Sequence, residues 1–298
     1  MFDPVFKSVL LYVEYRFFYS LASLLPVKFA YKAASIKGML TGLFIKKTIN
    51  DCIPSLEQCL GLSPEACKQI AKAQVRMLAR EKMDVYLLAK MTRQNVDQYI
   101  KIEGLDHYLA AKKTNKPVIL YTVHFGRLIM PAIALGLLGY ETSPLTAPIH
   151  GAKQEQWYLD KKINAMRSIM KGSFVNTDQS MRVLYKILQN GETLIVLVDV
   201  SPVPGQACYE ASFLGGTARF PKGIVKLAKK MDALLVPYFA LEHQGYLSGE
   251  FLPAIATEGL QEQEILQLLL EPIEEKISQH PEQWWVWPWL SSFWRREG

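Results

Sequence analysis

Residues 117–130 read PVILYTVHFGRLIM. The run 118–123 is short, almost wholly apolar and rich in β-branched residues, as expected of a strand buried on both faces. It ends on His124. A Phe-Gly-Arg turn follows, and an apolar helical run then extends from about residue 128 to 138. A histidine between a core strand and a helix is held by rigid elements and faces a crevice. Open α/β sheets bind their ligands in such crevices. From this stretch alone, His124 reads equally well as a satisfied core imidazole and as a working group.

Downstream of this stretch, strands and helices alternate. Strands are expected at 141–148, 173–176, 193–199, 234–240 and 246–252. Helices are expected at 153–170, 178–188, 221–230 and 262–278. The strand TLIVLVD (193–199) is apolar throughout and, like the first, ends on a polar residue, Asp199. Upstream, Ser63-Pro64-Glu65 supplies an N-cap, a proline at the first helical position and an acid in the first turn of a long helix. A helix at 105–113 and a short strand at 100–103 lead into Pro117. The segments 200–205 and 211–220 read as loops around Pro and Gly. The pattern is α/β, a mixed central sheet flanked by helices.

The chain divides into residues 1–50, hydrophobic and basic, and an α/β domain over 51–298. The first segment holds seven Lys/Arg against two acids, a net of +5 out of +6 for all 298 residues. A basic and apolar segment suits an anionic membrane surface more than nucleic acid. Glu14 and Arg16 interrupt the run 5–25, which makes a spanning helix costly and favours one lying in the interface. Residues 27–43 continue as a basic amphipathic helix. The same stretch also reads as a helical hairpin packed on the domain. Four cysteines show no ligand-like spacing and read as free thiols in a reducing compartment. His107, His150, His243 and His280 have no ligand-like neighbours, so no metal site is expected. Neither GxSxG, HExxH nor a Walker loop is present. Five of the six tryptophans lie in the last fifteen residues, either closing the core or meeting a bilayer interface.

Taken in order, IKIEGLDHYLAAKKTNKPVILYTVHFG, RSIMKGSFV, LYKILQNGETLIVLVDVSP, ASFLGGTARFPKGIVKLAKKMDALLVPYFA and HPEQWWVWPW resemble the blocks of the lysophospholipid acyltransferases. The resemblance is to the branch of the bacterial lipid A late (lauroyl and myristoyl) acyltransferases, and it covers most of the chain. It implies transfer of a fatty acyl chain from acyl carrier protein or CoA to a hydroxyl or amine. No cofactor would be needed beyond that thioester. Localisation at the cytoplasmic face of the bacterial inner membrane is implied as well.

The resemblance makes His124 the general base. The family motif carries an acid five positions after its histidine; here that position is Ile129. Asp199, at the end of the neighbouring strand, is the candidate replacement, and a loop cap is its bland reading. Arg127, Arg167, Phe213, Gly215, Gly216, Thr217, Arg219 and Lys222 match motif positions and are the candidate substrate-binding residues. Gly215 and Gly216 would let backbone N–H groups approach an anion. Lys226, Lys229 and Lys230 read as a solvated face or a docking face for an acidic carrier. The missing acid keeps a second reading open, a silent homologue that binds lipid or carrier protein. A third reading keeps the enzyme with an amine acceptor.

Overall fold

The computed structural model describes residues 4–148, 152–243 and 246–296, with side chains from residue 8 onward; His150 lies outside them. The chain opens with helix α1 (Pro4–Tyr12), a π-helical turn (Val13–Phe18) and α2 (Tyr19–Ala22). Then come α3 (Val27–Phe44), α4 (Lys46–Leu60) and α5 (Pro64–Leu87). Strand β1 (Lys101–Glu103), α6 (Leu105–Lys113), β2 (Val118–Thr122) and α7 (Met130–Leu138) lead into β3 (Thr142–Thr146). After α8 (Lys153–Met170), β4 (Val175–Asn176), α9 (Met181–Gln189) and β5 (Thr193–Leu197) comes a hairpin, β6 (Cys208–Phe213) with β7 (Gly216–Pro221). Helix α10 (Gly223–Met231), β8 (Leu234–His243), β9 (Tyr246–Phe251), α11 (Glu262–Gln279) and β10 (Trp294–Arg296) complete the chain.

The central sheet runs β1-β9-β8-β2-β5-β3-β4. The five strands from β8 to β4 are parallel, β9 is antiparallel to β8, and β1 runs parallel to β9, so the sheet is mixed. Alternate residues of β2 enter different cores. Ile119 and Tyr121 pack on one face of the sheet, and Val118 and Leu120 on the other. Both faces are covered, which is why the strand carries no polar alternation.

Three features depart from the sequence reading. Helix α4 was not anticipated. It carries Pro54 in its interior and straddles residues 50 and 51, the expected boundary between the two segments. It forms because Ile49, Cys52 and Leu56 make an apolar stripe that is buried against the core. The stretch 211–220, read as a loop, is a hairpin. Leu214 (φ 48°) and Gly215 (φ 70°) turn it, both in the left-handed region that two-residue hairpin turns require. Its inward residues Ala211, Phe213, Ala218 and Phe220 alternate, and β10 pairs with its second strand. Third, the cap of α9 is Ser180 rather than Asp178, its hydroxyl accepting from Arg182 N–H at 3.3 Å.

Helix α3 is amphipathic in an inverted sense. Its small residues Ala30, Ala34, Gly38 and Gly42 face inward, and its large apolar residues face out. A Cβ on Gly38 would stand 2.9 Å from the Ala79 Cβ and the Arg76 Cα, so α3 and α5 meet backbone to backbone. Helix α5 joins the amino-terminal helices to the α/β domain through one charged run. Arg80 pairs with Glu242, Glu81 with Lys162, Lys82 with Glu14, and Asp84 with Arg127. Glu14 also meets Lys37, and Arg16 lies 3.6 Å over the Trp157 ring. The two charges that interrupt 5–25 are therefore engaged by the protein. Among the described residues no helix is long and apolar enough to cross a membrane.

Candidate active site

Strands β2 and β5 are parallel neighbours with Thr122 level with Leu197, and the Val198 N–H still bonds the Thr122 carbonyl at 3.0 Å. Two residues further along each strand stand His124 and Asp199, on the same edge of the sheet. Their side chains meet. His124 Nδ1 is 2.9 Å from Asp199 Oδ1. The other carboxylate oxygen accepts the His124 backbone N–H at 2.8 Å and the Trp284 indole N–H at 2.9 Å. Asp199 is 1 % exposed, whereas the imidazole is 26 % exposed. The carboxylate sits behind the ring as an orienting group. It holds the proton on Nδ1 and leaves the Nε2 lone pair free.

The position of the family acid is filled differently. Ile129 is buried in the core ahead of α7, and it packs with Met130 and Ile133. A carboxylate there would have no place in this apolar surround. The carboxylate that meets the imidazole comes instead from the next strand.

The segment after α11 holds the histidine loop in place. Trp284 bridges Phe125 in antiparallel fashion, the Trp285 N–H bonds the His124 carbonyl at 2.8 Å, and the Gly126 N–H bonds the Gln283 carbonyl at 2.7 Å. The Trp285 indole N–H returns to the Gly126 carbonyl at 3.0 Å, and its ring lies 5.8 Å from the imidazole. Gly126 adopts φ 56°, and a Cβ there would sit 1.8 Å from the Ala240 carbonyl oxygen, so no other residue fits the HFG turn. Of the five carboxyl-terminal tryptophans, Trp284, Trp287 and Trp294 are buried and Trp285 is half-buried, which favours core closure; Trp289 is 42 % exposed.

Burial disfavours the imidazolium, but the Asp199 charge and hydrogen bond outweigh it, so the proton affinity of His124 lies above the ordinary histidine range. The Lys162 ammonium pulls the other way. Lys162 is bonded to Glu81 and lies 5.9 Å from the Trp285 ring, so it is a fixed charge near the imidazole.

The other candidate residues are distributed differently. Arg127 is buried, with its Nε bonded to Asp84 Oδ2 at 2.8 Å and a second guanidinium nitrogen to Oδ1. Its plane lies 4.1 Å from the Tyr31 ring, and Tyr31 donates to Asp84 at 2.7 Å. This arginine is spent on an internal ion pair rather than held out to a substrate. Arg167 is exposed, 5.2 Å over the Phe174 ring. Phe213 is buried with its ring edge-to-face on Trp284, so it backs the indole that holds Asp199. Gly216 is pressed against β10, where a Cβ would stand 2.4 Å from the Arg295 carbonyl oxygen; close strand approach explains the glycine. Gly215 occupies the hairpin turn, Thr217 is half-buried on β7, and Arg219 is exposed there. Lys222 lies 4.5 Å over the Tyr209 ring. Of this set, His124 and Asp199 are brought together side chain to side chain.

Trp284, Trp285 and Lys162 escaped the sequence reading as site residues. The run HPEQWWVWPW was visible, but nothing in it says which strand end it covers. Gln74 was equally silent; its amide bonds the Trp284 carbonyl. Among the described residues no group of His, Cys, Asp or Glu could hold a metal ion.

The family model for bacterial lipid A biosynthesis acyltransferases matches residues 6–296. A search of curated proteins finds no match. Among solved structures the chain is similar to the crystal structure of PlsC, the 1-acyl-sn-glycerophosphate (LPA) acyltransferase from Thermotoga maritima. The identity is 15 %, covering 86 % of this chain and 99 % of that one, with a TM-score of 0.39.

Proposed function

The chain belongs to the bacterial lipid A biosynthesis acyltransferase family, and from that premise we propose that it moves a fatty acyl chain from a thioester to a hydroxyl or amine of a membrane-borne acceptor. The donor is acyl carrier protein or CoA. His124 is the general base and Asp199 orients it. The observation that carries this reading is the 2.9 Å contact between His124 Nδ1 and Asp199 Oδ1.

The steps follow from that contact. Nε2 takes the proton of the acceptor group as its oxygen or nitrogen attacks the thioester carbonyl. The imidazolium formed is stabilised by Asp199, whose second oxygen is fixed by Trp284. Collapse of the tetrahedral intermediate breaks the carbon–sulfur bond, and the departing thiolate recovers the proton from Nε2. With Asp199 in the orienting role, an amine acceptor need not be invoked to excuse a missing acid.

A groove of about 300 Å³ between α3, α4, α5 and the carboxyl-terminal turn ends on Trp285, the ring beside His124. We place the acyl chain there, because Gly38, Ile45, Leu78 and Trp289 wall it with apolar groups. Exposed Lys226 and Lys229 on α10 suit an acidic carrier protein. The outward apolar residues of α1 to α3 support docking on a bilayer, and the family reading puts that bilayer surface at the cytoplasmic face of the inner membrane.

The test is mass spectrometry of the purified protein incubated with mixed acyl carrier proteins and a membrane lipid extract. The expected result is an acylated lipid that is lost in both His124→Ala and Asp199→Asn. An unchanged thioester pool with wild-type protein, with carrier still bound, would instead make the chain a binding partner.

A further inference from the structure

A cavity of about 890 Å³, lined by Arg127 but not by His124, lies on one flank of α3 between Arg80 of α5, residues 97–101 and the start of β9. Its floor is charged, and the charges there are paired as ions. Arg127 holds Asp84, and Arg80 holds Glu242 at 2.6 Å while donating to Ser35 Oγ at 2.8 Å. The rim is not matched. Lys28, Lys32 and Lys101 stand around it with Asp97 as the single acid. Among the described residues Lys28 and Lys32 form no ion pair, and Lys101 lies only over the Tyr246 ring, at 5.3 Å.

The helix sets where this rim sits. The inner face of α3 carries Ala30, Ala34, Gly38 and Gly42, and the opposite face carries exposed Phe29, Ile36, Leu40 and Leu43. Lys28 and Lys32, one turn apart, fall between that outer face and the cavity. With the apolar face in a bilayer, both ammonium groups stand at headgroup depth at the mouth of the cavity.

We infer that this cavity binds the phosphate of an anionic membrane lipid, separately from the cleft at His124, through Lys28, Lys32 and Lys101. The excess positive charge at the rim is what a phosphodiester complements, and the bilayer depth of the two α3 lysines brings a headgroup rather than a free solute to it. The inference rests on the membrane-docking reading above.

The test is vesicle flotation of the full chain with phosphatidylcholine alone and with phosphatidylcholine mixed with phosphatidylglycerol. Wild-type protein is expected to bind both and to prefer the second. Lys28→Ala/Lys32→Ala/Lys101→Ala should lose roughly 100-fold of affinity for the anionic vesicles, at about 1 kcal/mol per lysine, and keep its binding to neutral ones. Gln98→Trp fills the cavity from its exposed edge without changing charge, and should lose the preference too. Lys226→Ala/Lys229→Ala/Lys230→Ala removes the same charge from α10 and should retain it. Full preference in Gln98→Trp, or equal loss in the α10 variant, would mean diffuse surface charge and overturn the site. Equal binding of wild type to both vesicles would overturn it while sparing the docking reading. Binding to neither would remove both.

Discussion

At the scale of single residues, one carboxylate decides the site. Asp199 accepts from the His124 ring, the His124 backbone and the Trp284 indole, so its removal costs both the tautomer and the position of the base. Asp199→Asn should lower kcat by up to about 10⁴-fold, the cost of losing the orienting acid in a comparable triad, with little change in fold. Trp284→Phe keeps the packing and deletes one donor; a smaller loss of kcat is expected, with KM unaltered. The proton affinity of His124 gives a pH test. The base must be unprotonated to work, and its pKa is raised, so kcat/KM should fall with decreasing pH through a value above the ordinary histidine one. Lys162 opposes that shift. Lys162→Met should therefore move the acid limb to still higher pH, and a limb that stays in place would remove Lys162 from the site. His124 was legible because it ends an apolar run, and Asp199 because it ends another. Lys162 and Trp284 were not, since only packing of α8 and of the carboxyl-terminal segment against β2 brings them there.

At the scale of elements, the contact between α3 and α5 and the buried pair beneath it carry the amino-terminal helices. Gly38→Val would force a side chain into a 2.9 Å gap, and about 1–3 kcal/mol of destabilisation is expected in urea unfolding. Arg127→Met leaves the Asp84 carboxylate buried without its cation, a change that costs about 3–5 kcal/mol. The double variant Arg127→Met/Asp84→Leu should recover part of this, because the lone buried charge is gone. Equal stability of wild type and Arg127→Met would refute the structural role given to that arginine. Most helices and strands could be read from period and capping. Helix α4 could not, because Pro54 masks its stripe, and the β6–β7 hairpin was hidden by the two glycines that build its turn and its contact with β10.

At the scale of the whole molecule, the apolar residues that do not reach the core define a surface. Phe17, Leu21, Leu24, Phe29, Leu43 and Phe44 are each more than half exposed, and all lie in the amino-terminal helices or the turn that joins them. Leu21→Ser/Leu24→Ser/Phe29→Ser should leave the unfolding midpoint nearly unchanged, since these side chains touch solvent. The same variant should lose flotation with neutral vesicles, each apolar group contributing about 1.5–3 kcal/mol when buried. Wild-type flotation in the variant would argue against this face as the docking surface.

The sequence by itself determined the class of fold, the strand-end histidine, the absence of the usual acid and the basic, apolar character of the amino-terminal segment. These are local properties: hydrophobic period, capping residues, motif spacing and charge along the chain. The tertiary structure alone decided which acid meets the histidine, that Arg127 is consumed internally and that the tryptophan-rich segment clasps the His124 loop. It also turned the large residues of α3 outward. Each of these depends on strand register or helix rotation relative to a distant neighbour, and both are set by the packing of the whole core rather than by any stretch of sequence.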